Sequence, residues 1–123
     1  NGVVYDYQAL LPDITLPGLG TDALDTEVFF YHVMSGNGQD LARDFLDTAA
    51  LIKRKHRYSA MNCLFSDGLR FFAYRDYAKE PDYYSLYKAF SDNSCLISSE
   101  PLDKNMKWDM MAQEEFSTID LDS

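Results

Sequence analysis

Tyr58-Ser59-Ala60-Met61-Asn62-Cys63-Leu64-Phe65-Ser66-Asp67-Gly68-Leu69-Arg70-Phe71-Phe72-Ala73-Tyr74-Arg75-Asp76-Tyr77 is two apolar runs on either side of an Asp-Gly pair. In the first run Met61, Cys63 and Phe65 share one parity, and Ala60, Asn62 and Leu64 the other. In the second, Arg70, Phe72 and Tyr74 alternate with Phe71, Ala73 and Arg75. Aromatic and apolar residues at period two mark strands, and Asp-Gly between such runs signals a two-residue hairpin. The pattern predicts antiparallel strands over 58–66 and 69–77 with Asp67-Gly68 as the turn. Both parities are apolar, which favours a sheet buried on both faces.

Downstream, Glu80-Pro81-Asp82 makes a further turn, and strands are expected over 83–90, 94–99, 106–110 and 116–121. Upstream the period changes. Leu41, Phe45, Ala49 and Ile52 recur at helical spacing, with Leu46 widening the stripe, so a helix is expected over 40–54. Lys53, Arg54 and Lys55 place positive charge where the helix dipole favours it. An earlier helix opens at Asp25 or Thr26, contains Val28, Phe29, Tyr31, His32 and Met34, and stops at Ser35-Gly36-Asn37-Gly38. Pro12, Pro17, Gly18 and Gly20 break a loop before it, and residues 3–11 read as a strand end running into a short helix. The expected class is α+β: two helices followed by a mostly antiparallel sheet, as one domain over residues 1–123.

The 123 residues are 46% hydrophobic and 15% aromatic, ample material for a packed core. The net charge of −9 repels phosphate backbones, so no nucleic-acid partner is expected. No apolar run is long enough to span a membrane, no signal peptide is visible at the start, and a cytoplasmic setting is expected. Cys63 and Cys95 sit inside apolar strand-like runs and are read as buried, reduced thiols. No Cys-plus-His spacing, Walker loop or Gly-x-Gly-x-x-Gly occurs, so neither a metal nor a cofactor is expected.

Six short segments then fall in a telling order: Asn1-Gly2, Leu24-Asp25-Thr26-Glu27, Ser66-Asp67-Gly68, Tyr83 to Tyr87, Ser98-Ser99-Glu100-Pro101-Leu102 and Trp108. In that order they resemble the second half of a class II glutamine amidotransferase domain, of the branch that stands alone rather than fused to a synthase. Leu24 departs from the Thr that the family usually has there. The resemblance implies part of the four-layer α/β/β/α sandwich of the N-terminal nucleophile hydrolases, with the chain as the C-terminal portion of a glutaminase-type domain. It also implies a γ-glutamyl amide substrate, glutamine or a related small molecule, cleaved through an acyl-cysteine intermediate. The attacking cysteine and the arginine that grips the substrate carboxylate would lie on a missing upstream segment.

By the same resemblance the Asn1 side chain and the Gly2 backbone N–H would stabilise the oxyanion, and Asp25 would pair with the substrate's α-ammonium group. Ser98, Ser99 and Glu100 would support the site from behind. Without the resemblance, Asn1-Gly2 reads as a turn or a cut end and Asp25 as a helix N-cap, with Thr26 able to cap instead. Ser98 to Glu100 would then be a polar strand end before Pro101. His32 and His56 are isolated histidines, expected on a helix flank and in a connector. Trp108 and the tyrosines read as packing. Half of such a sandwich would expose an apolar inner face larger than monomers usually carry. That face calls for a missing N-terminal half, a second chain, or a homo-oligomer. The alternative function is a non-catalytic interaction domain with half of this fold.

Overall fold

The computed structural model describes residues 1–36 and 38–120. Asn37, in the expected stop of the first helix, and Leu121, at the expected end of the last strand, lie outside the described residues. The backbone divides into two compact units, residues 3–58 and residues 1–2 with 59–123. The first is helical and the second is built of antiparallel strands, so the chain is α+β.

In the helical unit a 3-10 segment, Tyr7–Asp13, precedes helix α1, Asp25–Met34, and helix α2, Leu41–Lys55. Phe45, Ala49 and Ile52 of α2 and Val28 and Val33 of α1 are buried, and the Phe29 and Phe45 rings meet at 5.4 Å between centroids. Asp40 caps α2 by accepting the Arg43 N–H at 3.3 Å, as its residue type favours. The buried Asp44 carboxylate accepts the Gly38 N–H at 3.0 Å. A Cβ on Gly36 would lie 2.6 Å from that carboxyl carbon, so a larger residue there would force the Asp44 carboxylate to shift.

The strand unit holds β1 Cys63–Ser66, β2 Arg70–Tyr74, β3 Tyr87–Phe90, β4 Cys95–Ser98, β5 Asp109–Met110 and β6 Phe116–Asp120. They form two sheets, ordered β1-β2-β6 and β4-β3-β5, rather than the single meander expected. The hairpin register agrees with the alternation: Cys63 faces Tyr74 and Phe65 faces Phe72. Phe65 stacks on Phe72 at 4.9 Å, and Phe116 of β6 lies 5.6 Å from Phe72, so one face of the first sheet is an aromatic cluster. From the opposite face of that sheet, Ala73 joins Leu86 and Met111 in a buried cluster, with Ile97 of the second sheet against it. Lys88 of β3 bonds Glu115 and Ser117, tying the two sheets together. Burial pushes the Glu115 carboxyl up, but hydrogen bonds from Lys88, Ala112 and Ser117 outweigh it and hold the group below its ordinary range.

The turn sits one residue later than expected. The Asp67 N–H donates to the Arg70 carbonyl at 3.3 Å, so Gly68 and Leu69 are the two loop residues. Gly68 has φ +90, the positive value that a type II′ hairpin needs at its first loop position. Asp67 Oδ1 accepts the N–H groups of Leu69 at 2.9 Å and Arg70 at 2.7 Å. Those two backbone donors, Arg70 first, lower the Asp67 carboxyl below its ordinary value. A carboxyl depressed on folding stabilises fully above its unfolded pKa and loses that contribution as pH falls through the folded value. Asp67→Asn is therefore expected to reduce the loss of stability below a pH of about 4, measured as the urea midpoint against pH. An unchanged acid slope would show that the turn carboxylate contributes nothing.

Strands β1 and β3 begin later than the apolar pattern suggests, for polar reasons. Ala60 still bridges Tyr77, and the Met61 N–H still reaches the Asp76 carbonyl at 2.7 Å. Between them the Asn62 side chain, not a backbone carbonyl, accepts the Asp76 N–H at 2.9 Å. The start of the expected strand 83–90 is a turn because the Arg75 guanidinium draws in the carbonyls of Pro81 and Tyr84. Cys63 and Cys95 accordingly open their strands instead of lying mid-strand.

The expectation of a first sheet buried on both faces holds only at the Ala73 end. At the other end Leu64, Phe71 and Ile119 line an open cleft of about 550 Å3 with Phe90, Cys95 and Ile97 of the second sheet. Leu64 is 45% exposed there and Phe90 61%.

Candidate active site

Asn1 and Gly2 belong to the strand unit. The terminal ammonium of Asn1 donates to the Asn62 carbonyl at 2.6 Å. Gly2 has φ +116, and a Cβ built on it would lie 2.1 Å from the Ala60 carbonyl oxygen and 2.8 Å from the Ala60 Cβ. Only glycine satisfies both conditions: the backbone angle is one that side chains disfavour, and the space is filled by another main chain. Among the described residues, neither the Asn1 carboxamide nor the Gly2 N–H has a hydrogen-bond partner. Adjacent residues thus carry two unengaged donors, with Gly2 seated against the Ala60 backbone. Such a pair can receive an anionic oxygen.

Residues 60–62 form the surface on which Asn1-Gly2 rests, and their far side is held by buried polar groups. Asn62 Nδ2 donates to the Tyr84 carbonyl at 3.1 Å. The Asp76 carboxylate, fully buried, accepts the Tyr74 hydroxyl at 2.6 Å and the Gln113 amide at 3.2 Å. Arg75 is 4% exposed. Its guanidinium donates to the carbonyls of Tyr84, Met111 and Pro81 and lies 4.7 Å from the Tyr77 ring centroid. A buried charge needs such a full set of partners.

Ser98 ends β4, and Ser99 and Glu100 follow it in the same unit. The Ser85 hydroxyl donates to the Ser99 carbonyl at 2.7 Å, next to the Tyr84 carbonyl that anchors Asn62. The Glu100 N–H reaches the Ser98 hydroxyl at 3.4 Å. Of the three, Ser99 is the one tied to residue 85, by its carbonyl and the Ser85 hydroxyl.

Asp25 lies in the helical unit. Leu24 occupies the N-cap of α1 without a side-chain bond, and Asp25 is the first helical residue, so the N-cap reading is corrected. The carboxylate is engaged elsewhere: Asp25 Oδ2 accepts the Val4 N–H at 2.9 Å, and Oδ1 accepts the Thr26 N–H at 2.9 Å. A carboxylate has about four lone-pair sites, so two remain for a cationic group.

No family model, curated protein or solved structure matches the chain. The chemistry of the site rests on its own residues.

Burial pushes both the Cys63 and the Cys95 thiols up, which keeps them from being ready thiolates. Among the described residues no group of three or more His, Cys, Asp or Glu side chains could hold a metal ion, and no helix is long and apolar enough to cross a membrane. His32 bonds Thr48 at 2.8 Å, and His56 the Tyr5 carbonyl at 2.9 Å; both are tethers of the helical unit. Trp108 donates to the Asp103 carbonyl at 2.8 Å at the surface.

The residues that sequence reading passed over are Asn62, Arg75 and Asp76. Their signal was present: polar side chains at inward positions of apolar strand runs, where an unsatisfied group is costly.

Proposed function

We propose that the chain is the C-terminal portion of a class II glutamine amidotransferase-like amidohydrolase, part of an α/β/β/α sandwich, that cleaves a γ-glutamyl amide. The observation that carries this reading is the Asn1-Gly2 pair: two adjacent unengaged donors and a glycine position closed to every other residue. An upstream cysteine thiolate attacks the γ-carboxamide carbon, and Asn1 and Gly2 hold the resulting oxyanion. The C–N bond breaks, ammonia leaves with a proton delivered by the cysteine's α-amine, and water hydrolyses the thioester to the γ-carboxylate. The raised thiols of Cys63 and Cys95 support a nucleophile located elsewhere.

The test is labelling of the full-length protein by a diazo-ketone analogue of glutamine, read by peptide mass. One label on a cysteine upstream of Asn1 is expected. Absence of label, or a label on Cys63 or Cys95, overturns the reading. Within it, Asp25 holds the substrate's α-ammonium group. Asp25→Asn removes the charge but keeps one acceptor, so KM for the γ-glutamyl substrate is expected to rise about tenfold or more, the worth of a charged hydrogen bond, with a smaller change in kcat. An unaltered KM would take Asp25 out of the substrate site.

A second reading is an interaction domain, favoured by the exposed Leu64, Phe90 and Leu96 beside the open cleft. On this reading the same labelling gives no product, and the cleft is covered by a partner.

A further inference from the structure

We propose that the open edge of β4, with the cleft beside it, takes an extended segment of another polypeptide, apolar at every second residue and basic at its ends. The proposal rests on reading this cleft as an interaction surface, and uses nothing of the oxyanion reading. Strand β4, Cys95–Ser98, pairs antiparallel with β3. The Ser91 N–H bonds the Ser94 carbonyl at 2.9 Å, and from that pair onward every second pair is hydrogen-bonded. Leu96 and Ser98 therefore turn their backbone groups to β3, and Cys95 and Ile97 turn theirs outward. β4 is an end strand of its sheet, and among the described residues no backbone bond reaches the Cys95 and Ile97 N–H and C=O groups. A row of donors and acceptors at strand spacing is matched by another extended backbone.

The side chains point to the same occupant. Cys95 and Ile97 line the cleft with Phe90 of β3 and with Leu64, Phe71 and Ile119 of the first sheet. A strand added to β4 sets every second side chain beside Cys95 and Ile97, into that cleft. β1, which carries Leu64, is also an end strand. Natural proteins guard such edges with charged residues, Pro, bulges or very short strands. Neither β1 nor β4 holds a charged residue, Pro or Gly, whereas the end strands β5 and β6 each carry an aspartate, Asp109 and Asp120. Both uncharged edges border the cleft.

Charge decides which polypeptide. Asp92 and Asp120 stand among the residues lining the cleft, Glu100 follows just after β4, and the chain as a whole carries −9. Antiparallel pairing of β4 with a second copy, centred on Leu96, would set Cys95 against Ile97 of the other copy and Asp92 against its Glu100. Like charges directly opposite destabilise a strand pair, so self-pairing is disfavoured. Lys or Arg at the ends of the added segment meets the same carboxylates favourably.

The test uses the full-length protein and two synthetic peptides of one composition, Lys-Val-Ser-Val-Ser-Val-Lys and Lys-Val-Val-Ser-Ser-Val-Lys. Hydrogen exchange at the Cys95 and Ile97 amides is the first readout. Both are expected to exchange at the open-chain rate in dilute protein, and about tenfold more slowly or more with the alternating peptide bound, the worth of one hydrogen bond. The peptide with broken alternation is expected to leave them unprotected. Cys95→Pro removes one outward N–H and leaves the β3 ladder intact, since the first residue of an edge strand tolerates Pro. Affinity for the alternating peptide is expected to fall about tenfold with the melting temperature near that of wild type. Phe90→Ala, at a site 61% exposed, probes the cleft separately and is expected to cost on the order of tenfold in affinity. Equal affinity for the two peptides, or wild-type affinity in either variant, overturns the proposal. So do amides already slow in dilute protein, which place another segment of the same chain on the edge, and protection that rises with protein concentration alone, which places a second copy there. Failure of the glutamine-analogue labelling removes the oxyanion reading and leaves each of these outcomes as it stands.

Discussion

Gly2→Ala in the full-length protein is expected to lower kcat by about 10²–10³-fold, the usual cost of losing one oxyanion donor. The added Cβ would sit 2.1 Å from the Ala60 oxygen, well inside van der Waals contact, and the obstacle is backbone, which cannot rotate away. The φ of +116 adds strain for any side chain. Gly2 must therefore lift off the Ala60 backbone, and its N–H moves with it. Gly2 is only half-buried, so relief of the clash at the surface is expected to leave the thermal midpoint close to wild type. Steady-state kinetics beside a melting curve checks both halves. A kcat within a few-fold of wild type removes Gly2 from the reaction.

Arg75→Met is expected to do the opposite: to destabilise strongly while leaving the chemistry of the folded fraction intact. The guanidinium donates to three backbone carbonyls, of Pro81, Tyr84 and Met111, from a site 4% exposed. Hydrogen bonds to a charged group are worth about 1.5–3 kcal/mol each. They share one side chain and do not add independently, so a loss of about 3–5 kcal/mol is expected. Met fills a similar volume, which keeps the effect electrostatic rather than a cavity cost. Arg75→Lys should recover only part of the loss, because an ammonium cannot reproduce the planar fork that spans three acceptors. Urea unfolding of the three proteins measures this. A Met variant within about 1 kcal/mol of wild type would mean that solvent replaces the guanidinium at those carbonyls.

The contrast between these two variants reflects what an amino-acid string conveys. Helix α2 was legible because Phe45, Ala49 and Ile52 repeat at helical period behind a capping Asp40, and all of those interactions are local. The hairpin was legible because Phe65, Phe72 and Tyr74 keep period two on either side of a turn glycine. The turn itself shifted by one residue, since Asp67 proved more useful as an acceptor for Leu69 and Arg70 than as a loop residue. Asn1, Gly2 and Asp25 were named from the order of short segments. Their surroundings were not legible: that Ala60 lies under Gly2, and that Asp25 holds Val4 rather than capping α1.

Sheet membership shows the same limit. Strands β1 to β6 were anticipated with ends too long, but nothing in their alternation assigns β6 to β2 and β3 to a second sheet. That partition depends on where the chain between β2 and β3 travels, and the buried Arg75 draws that segment into a turn. Nor could the pattern distinguish Ala73, sealed by Leu86 and Met111, from Leu64, left facing an open cleft. Periodicity, capping and turn chemistry act between neighbours and so belong to the sequence: the α+β class, both helices and the central hairpin follow from them. The division into two sheets, the seating of Gly2 on Ala60 and the cleft arise from contacts between residues far apart in the chain. There the deciding force is the cost of burying a polar group without a partner, which is known only once the partners have met.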